Sequence, residues 1–169
     1  MKNALLYFLF ASLLISCDKP KEVSSVNPVK WSNRTVNYAL NDSMIHGSTY
    51  ISVYSQIYSK TEHRTHDLTA TISIRNINKR DSIFINHAEY FDTKGNSIRN
   101  YFDKTVFIAP METIEIVIDE TDKVGGTGAN FIFDWQIDQS LNEPLIEGVM
   151  ISTYGQQGLS FTTKGVRIE

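Results

Sequence analysis

From Leu68 to Arg75 the side chains alternate without a fault: Leu68, Ala70, Ile72 and Ile74 fall on one side, and Thr69, Thr71, Ser73 and Arg75 on the other. A period of two is the signature of a strand with one face in a core and one in water. The same period recurs in TYISVYSQIY, DSIFINHAEYF, KTVFIAP, ETIEIVIDE, ANFIFDWQI, LIEGVMIST and GLSFTTKGV, giving about eight strands separated by turn signals such as NKRD, DTKGN, DKVGGTG and YGQQG. Beyond the N-terminal segment, no stretch combines helical spacing with helix caps. Many short strands without intervening helices predict an all-β domain, a single antiparallel two-sheet sandwich of immunoglobulin type, with a small closed barrel as the alternative. A body spanning 47–169 is long enough to bury a core without disulfides.

The N-terminus carries a different signal. Lys2 is followed by ALLYFLFASLLIS, Ala4 to Ser16, thirteen residues without a charge. That suits the apolar region of an export signal and is too short to span a bilayer as a helix. Leu14, Ile15, Ser16 and Cys17 resemble the lipobox of bacterial lipoproteins. In such a motif the cysteine sulfur is the nucleophile that takes up a diacylglycerol. The resemblance implies a signal peptide over 1–16, a mature chain that starts at a lipidated Cys17, and a cell-envelope location on a membrane. Asp18 does not decide between inner and outer membrane. The polar stretch DKPKEVSSVNPVKWSNR reads as part of a flexible tether over 17–46, with a reach of roughly 30 Å. Trp31 and the run Thr35 to Leu40 leave open a docked strand instead.

Charge and cysteine usage exclude some functions. The formal charge is −3, with no cluster of Lys and Arg, which argues against a nucleic-acid surface. Cys17 is the only cysteine, so the chain has no internal disulfide and no thiolate for a zinc finger, a blue-copper centre or a catalytic nucleophile.

The remaining candidates are weaker. Gly125, Gly126 and Gly128 precede Asn130 and a strand with Phe131, Phe133, Trp135 and Ile137 on one face, and they follow a strand lined by Ile114, Ile116 and Ile118. A phosphate loop needs a helix at this place and a Lys-Ser/Thr pair, so these glycines are expected to let the backbone reverse or approach a neighbour closely. An anion-binding nest of amides is the functional alternative. His63 and His66 in TEHRTH read as a solvated loop. Met44, Met111 and Met150 with His46 and His87 are a remote case for copper. Glu147 is expected on a face with Leu145, Val149 and Ile151, and Glu89 on one with Ile83, Ile85 and Phe91. A charge on an apolar face needs a partner, with Arg75, Arg99 or His87 as candidates. As a converging pair, Glu89 and Glu147 would permit glycosidase-like acid/base work.

The motifs TYISVYSQIY, LTATISIRN, AEYFDTKGNSIRNYF, APMETIEIVI, GGTGANFIFDW and PLIEGVMI resemble, in succession from Gly47 to Arg167, a family of exported bacterial proteins known as domain of unknown function thirty-one twenty-four. The resemblance implies a single exported domain and no particular activity, substrate, cofactor or catalytic residue. The expectation is therefore a membrane-anchored binding or scaffolding module and not an enzyme. No cofactor or metal is expected. Its partner would be an envelope protein or a glycan, met through loops that include Gly125–Asn130 and Tyr154–Gly158. The alternative is an envelope hydrolase or metal handler using Glu89, Glu147 or the histidines.

Overall fold

Alternation becomes structure through pairing. The computed structural model describes residues 29–37, 43–154 and 156–169, and these contain no α-helix. The expected signal peptide, Cys17 and much of the expected tether lie outside the described residues. Twelve strands are described: β1 Ile45–Ser52, β2 Gln56–Ser59, β3 Thr61–Asp67, β4 Thr69–Arg75, β5 Ile83–Phe91, β6 Ser97–Asn100, β7 Val106–Ile108, β8 Thr113–Ile118, β9 Asn130–Ile137, β10 Leu145–Tyr154, β11 Gln157–Lys164 and β12 Val166–Arg167.

They form two packed antiparallel sheets and a small ribbon. The first sheet runs β12-β1-β9-β5-β6, with β7 on the same edge of β5 as β6; the second runs β11-β10-β4-β8; β2 and β3 pair alone. This is the open two-sheet sandwich expected from the alternation and not the closed barrel. The links β4–β5, β7–β8, β8–β9, β9–β10 and β11–β12 cross from one sheet to the other, while β5–β6–β7 and the β10–β11 hairpin each stay within a layer.

The inward rows of both sheets meet in one core. Ala70, Ile72 and Ile74 face inward from β4, Ile114, Ile116 and Ile118 from β8, and Phe131, Phe133 and Trp135 from β9, all at most 3% exposed. Tyr90 stacks on Phe131 at 4.6 Å and Phe131 on Phe133 at 5.3 Å, contacts worth about 0.5–1.5 kcal/mol each beyond their buried area. Trp135 satisfies its indole N–H on Thr49 Oγ1 at 2.9 Å. Directly across the ladder stands Gly47, where a Cβ would lie 2.4 Å from the Trp135 ring, so only glycine leaves that ring its place.

Three expectations need correction. TEHRTH is not a loop: it forms β3, paired with β2 in a ribbon that carries a register shift at Tyr58/Ser59. In β5 the pairing with β9 slips between Ile85 and His87. This bulge inverts the alternation, so Ile83 and Ile85 point inward before it, and Ala88 and Tyr90 after it. Glu89 and Phe91 therefore leave the face of Ile83 and Ile85. In β10 the inward residues are Ile146, Gly148 and Met150, which pair with Ile74, Ile72 and Ala70. Glu147 does share a face with Val149 and Ile151, but it is the solvent face, where those two are 40% and 50% exposed.

The N-terminal described segment is docked. Trp31–Arg34 form a 3-10 turn, and Trp31 lies 4.9 Å from Phe102. Arg34 grips Glu112 through two hydrogen bonds of 2.8 and 2.6 Å. Thr35 then makes a β-bridge to Val106. This strap covers the free edge of β7 and lies beside the start of β8.

Candidate functional site

The glycine loop sits at one end of the sandwich, where β1 and β5 finish and β9 begins. Its three glycines have three different reasons to be there. Gly125 is buried with helical φ and ψ of −65° and −33°, and a Cβ on it would lie 1.9 Å from Tyr90 Oη and 2.7 Å from Ser55 Oγ. Its role is close approach. Gly126 alone of the three has a left-handed φ, +72°, and makes the turn. Gly128 donates its N–H to Thr93 Oγ1 at 3.0 Å. Thr93 in turn donates its hydroxyl to Gly125 O at 2.9 Å, and Gly126 N donates to Lys123 O at 3.1 Å. The amides of Gly126 and Gly128 thus find acceptors within the protein, as a structural loop requires, instead of converging on an anion. Asn130 opens β9, paired with Ser52 and Phe91.

This loop is tied to the ribbon and to the Asp92–Asn96 turn. Lys123 Nζ forms an ion pair with Asp67, which also accepts from Gln56 Nε2 at 2.7 Å. Together Lys123 first, then Gln56, hold the Asp67 carboxyl below its ordinary value. Arg99 reaches Asp122 at 2.8 Å. Asp92 accepts N–H bonds from Lys94 and Asn96, both at 2.8 Å. The result is a cross-braced end that presents Tyr58 and Val124, 63% and 64% exposed. Of the second candidate loop, Tyr154 to Gly158, Gly155 lies outside the described residues.

The two carboxylates are not brought together. Glu89 lies on the outer face of the first sheet and Glu147 on the outer face of the second. Arg75 Nε is 3.5 Å from Glu147 Oε2, while its Nη1 donates to Thr113 Oγ1 at 3.1 Å. This is a half-exposed cross-strand pair of the kind worth at most about 1 kcal/mol. Glu89 accepts from Ser97, across the β5–β6 pairing. His87 stands between two acids: Nδ1 is 3.6 Å from Asp134 Oδ2 and Nε2 is 3.8 Å from Glu89 Oε2. Its two nitrogens face opposite ways, so one ion cannot engage both acids through it. Among the described residues no group of three or more His, Cys, Asp or Glu is arranged to hold a metal. The copper candidates are dispersed: Met150 is in the core, Met111 is exposed on the turn before β8, and Met44 precedes β1.

Sequence reasoning missed two polar clusters. Asn76, 2% exposed, donates from Nδ2 to Asp81 O, Ile108 O and Ala109 O at 2.9–3.0 Å. Its Oδ1 accepts from Asn78, which in turn binds Asn142. Arg34 and Glu112 form the other cluster, which walls a shallow cleft with Val29, Phe107 and Ile114. Lone asparagines and a distant charge pair leave no periodic trace, and only strand-end turns hint at them.

Among the described residues no helix is long and apolar enough to cross a membrane. The profile of the family described as "Protein of unknown function (DUF3124)" matches residues 46–168. A solved structure described as "Crystal Structure of Thermotoga maritima 1070" is similar, with a TM-score of 0.47 and 11% identity over 71% of this chain and 92% of that chain. Among curated proteins no match is found.

Proposed function

We propose that this chain, which belongs to the family Protein of unknown function (DUF3124), is a lipid-anchored envelope protein whose sandwich works as a binding or scaffolding module and not by turnover. The anchor rests on the sequence, with Cys17 placed directly after the apolar run Ala4–Ser16. The observation that carries the binding role is the cross-braced end, where the ribbon, the Asp92–Asn96 turn and the glycine loop are locked to one another and present Tyr58 and Val124 outward. Exposed apolar side chains on a support held by hydrogen bonds and ion pairs suit recognition, since preorganised contacts lose less conformational entropy. The separation of Glu89 from Glu147 on opposite outer faces supports the same choice over acid/base chemistry.

The strap supports an orientation. Its ion pair with Glu112 lies at the start of β8, while the glycine loop and the ribbon lie toward the other end of the strands. About a dozen residues separate Cys17 from Val29, a root-mean-square reach of roughly 20 Å if flexible. An anchored chain would hold the strapped flank near the membrane and present the braced end away from it.

The test uses the full chain in cells. Palmitate is expected to label the wild type and not Cys17→Ala, which moves to the soluble fraction. A photo-crosslinker at Tyr58 is expected to give protein or glycan adducts that one at Met111 does not. Labelling absent from the wild type would refute the anchor. Equal adducts from both positions would refute the recognition end.

A further inference from the structure

Among the described residues, the outer strands of the two main sheets are guarded, with one exception. In the first sheet, β12 has two residues, and one of them, Arg167, is an ion-paired charge held by Glu143. β6 has four residues, a register shift and Arg99. β7 is covered by the strap. In the second sheet, β8 carries Glu115 in its middle, with Glu112 and Asp119 at its ends. The ribbon strand β3 carries Glu62, His63 and Arg64. Short length, charge, bulges and covering segments are the devices by which sheets avoid adding foreign strands.

Among the described residues, β11 has none of them. It pairs with β10 over all eight residues without a register shift, contains no proline, and is uncharged until Lys164 at its end. Gly165 N donates to Ile146 O at 2.8 Å, in register with that ladder. The odd-numbered residues of β11 therefore turn their amides toward β10, and Gly158, Ser160, Thr162 and Lys164 turn theirs to the open edge. On the inner side Leu159 and Phe161 are only half-buried, packed at the rim of the core, with Phe161 edge-on to Tyr54 at 5.7 Å.

We infer that β11 is a self-association edge, on which a second copy of this chain adds its own β11 antiparallel, joining the two four-stranded sheets into one. The register that uses the most of the strand places Ser160 opposite Ser160 on a two-fold axis. It sets Leu159 of each copy opposite Phe161 of the other, so the rim residues of both cores cover one another. The only charge on the strand, Lys164, then falls opposite Gln156, and no like charges meet. An isologous contact of this kind closes at two copies and leaves no further edge of the same type.

The experiment uses the full chain. Ser160 pairs with Ile151 on the outer face, and across the two-fold axis its Cα would stand about 5.5 Å from its counterpart, within disulfide reach. On mild oxidation in cells, Ser160→Cys is expected to yield a disulfide-linked dimer, while Ser140→Cys, on the exposed turn before β10, and the parent chain with Cys17 alone do not. In mild detergent the wild type is expected to sediment as a dimer. Ser160→Lys, which opposes two like charges on the axis, raises its dissociation constant at least about tenfold, with the thermal midpoint unchanged at dilutions where both proteins are monomeric. A monomeric wild type, a dimer indifferent to Ser160→Lys, or a Ser160→Cys link to a different protein would each overturn the inference.

Discussion

Replacing Gly125 by alanine isolates the packing claim on which the glycine loop rests. Its φ and ψ are those of an ordinary helical residue, so alanine meets no backbone strain and the cost is steric alone. The new methyl would lie 1.9 Å from Tyr90 Oη, and that gap must open to at least the 3.4 Å of ordinary contact. Tyr90 is fully buried and stacked on Phe131, so it cannot swing aside freely. Overpacking of this kind costs about 1–3 kcal/mol. Separating Tyr90 Oη from Ser55 Oγ, 3.3 Å apart, adds about 0.5–1.5 kcal/mol. The lower entropy of an unfolded chain with alanine returns about 0.4–1 kcal/mol. The expected net loss centres on about 2 kcal/mol, a fall of roughly 5–10 °C in Tm for a domain of this size. Urea unfolding followed by tryptophan fluorescence measures it. Tyr90→Phe removes the atom in closest contact, so the double variant should recover at least about 1 kcal/mol relative to additivity. An unchanged midpoint for Gly125→Ala, or strict additivity with Tyr90→Phe, would refute the reasoning.

Asn76→Ala removes the buried amide shared among Asp81 O, Ile108 O and Ala109 O, of which the Ile108 contact is buried and the others part-buried, and is expected to cost about 2–4 kcal/mol, read as a shift of the urea midpoint. Arg34→Gln tests the strap through pH. Arg34 first, and the Ala109 N–H with it, hold the Glu112 carboxyl below its ordinary value of 4.5 against the opposing effect of burial. A depressed carboxyl contributes stability that is complete above the ordinary value and is lost as the pH falls through the lowered one. The variant is expected to lose about 1 kcal/mol at pH 7 and to show a shallower acid limb. Parallel acid limbs for the two proteins would rule out the pair as its source.

The strands that sequence makes plain are those with one buried and one wet face and partners on both sides. β4 and β9 qualify, and their inward rows match the alternation residue for residue. β5 and β10 carry apolar side chains in both phases. In β5 a bulge switches the phase midway, and in β10 the register with β4 selects Ile146 and Met150 over Val149 and Ile151. Alternation alone cannot choose in such runs, and this is why Glu89 and Glu147 are misplaced by it. β3 has no apolar residue of its own and exists because β2 supplies its hydrogen bonds. The loop glycines are legible as structural, since a strand and not a helix follows them. The division of labour among them needs Tyr90 and Thr93, more than thirty positions away. The strap's ion pair joins residues 78 apart, beyond any local pattern.

The alternation of strands between layers also bears on when each sheet can be completed. β9 joins β1 to β5, and β10 joins β4 to β11, so the middle of each sheet is written in the last third of the polypeptide. A nascent or threading chain that stops short of Leu145 can close the ribbon and pair β1, β9, β5, β6 and β7, but it leaves β4 without the neighbour on its β10 side. Assembly of such a topology is slow and non-local, and the second sheet lacks two of its four strands until nearly all of the chain has emerged.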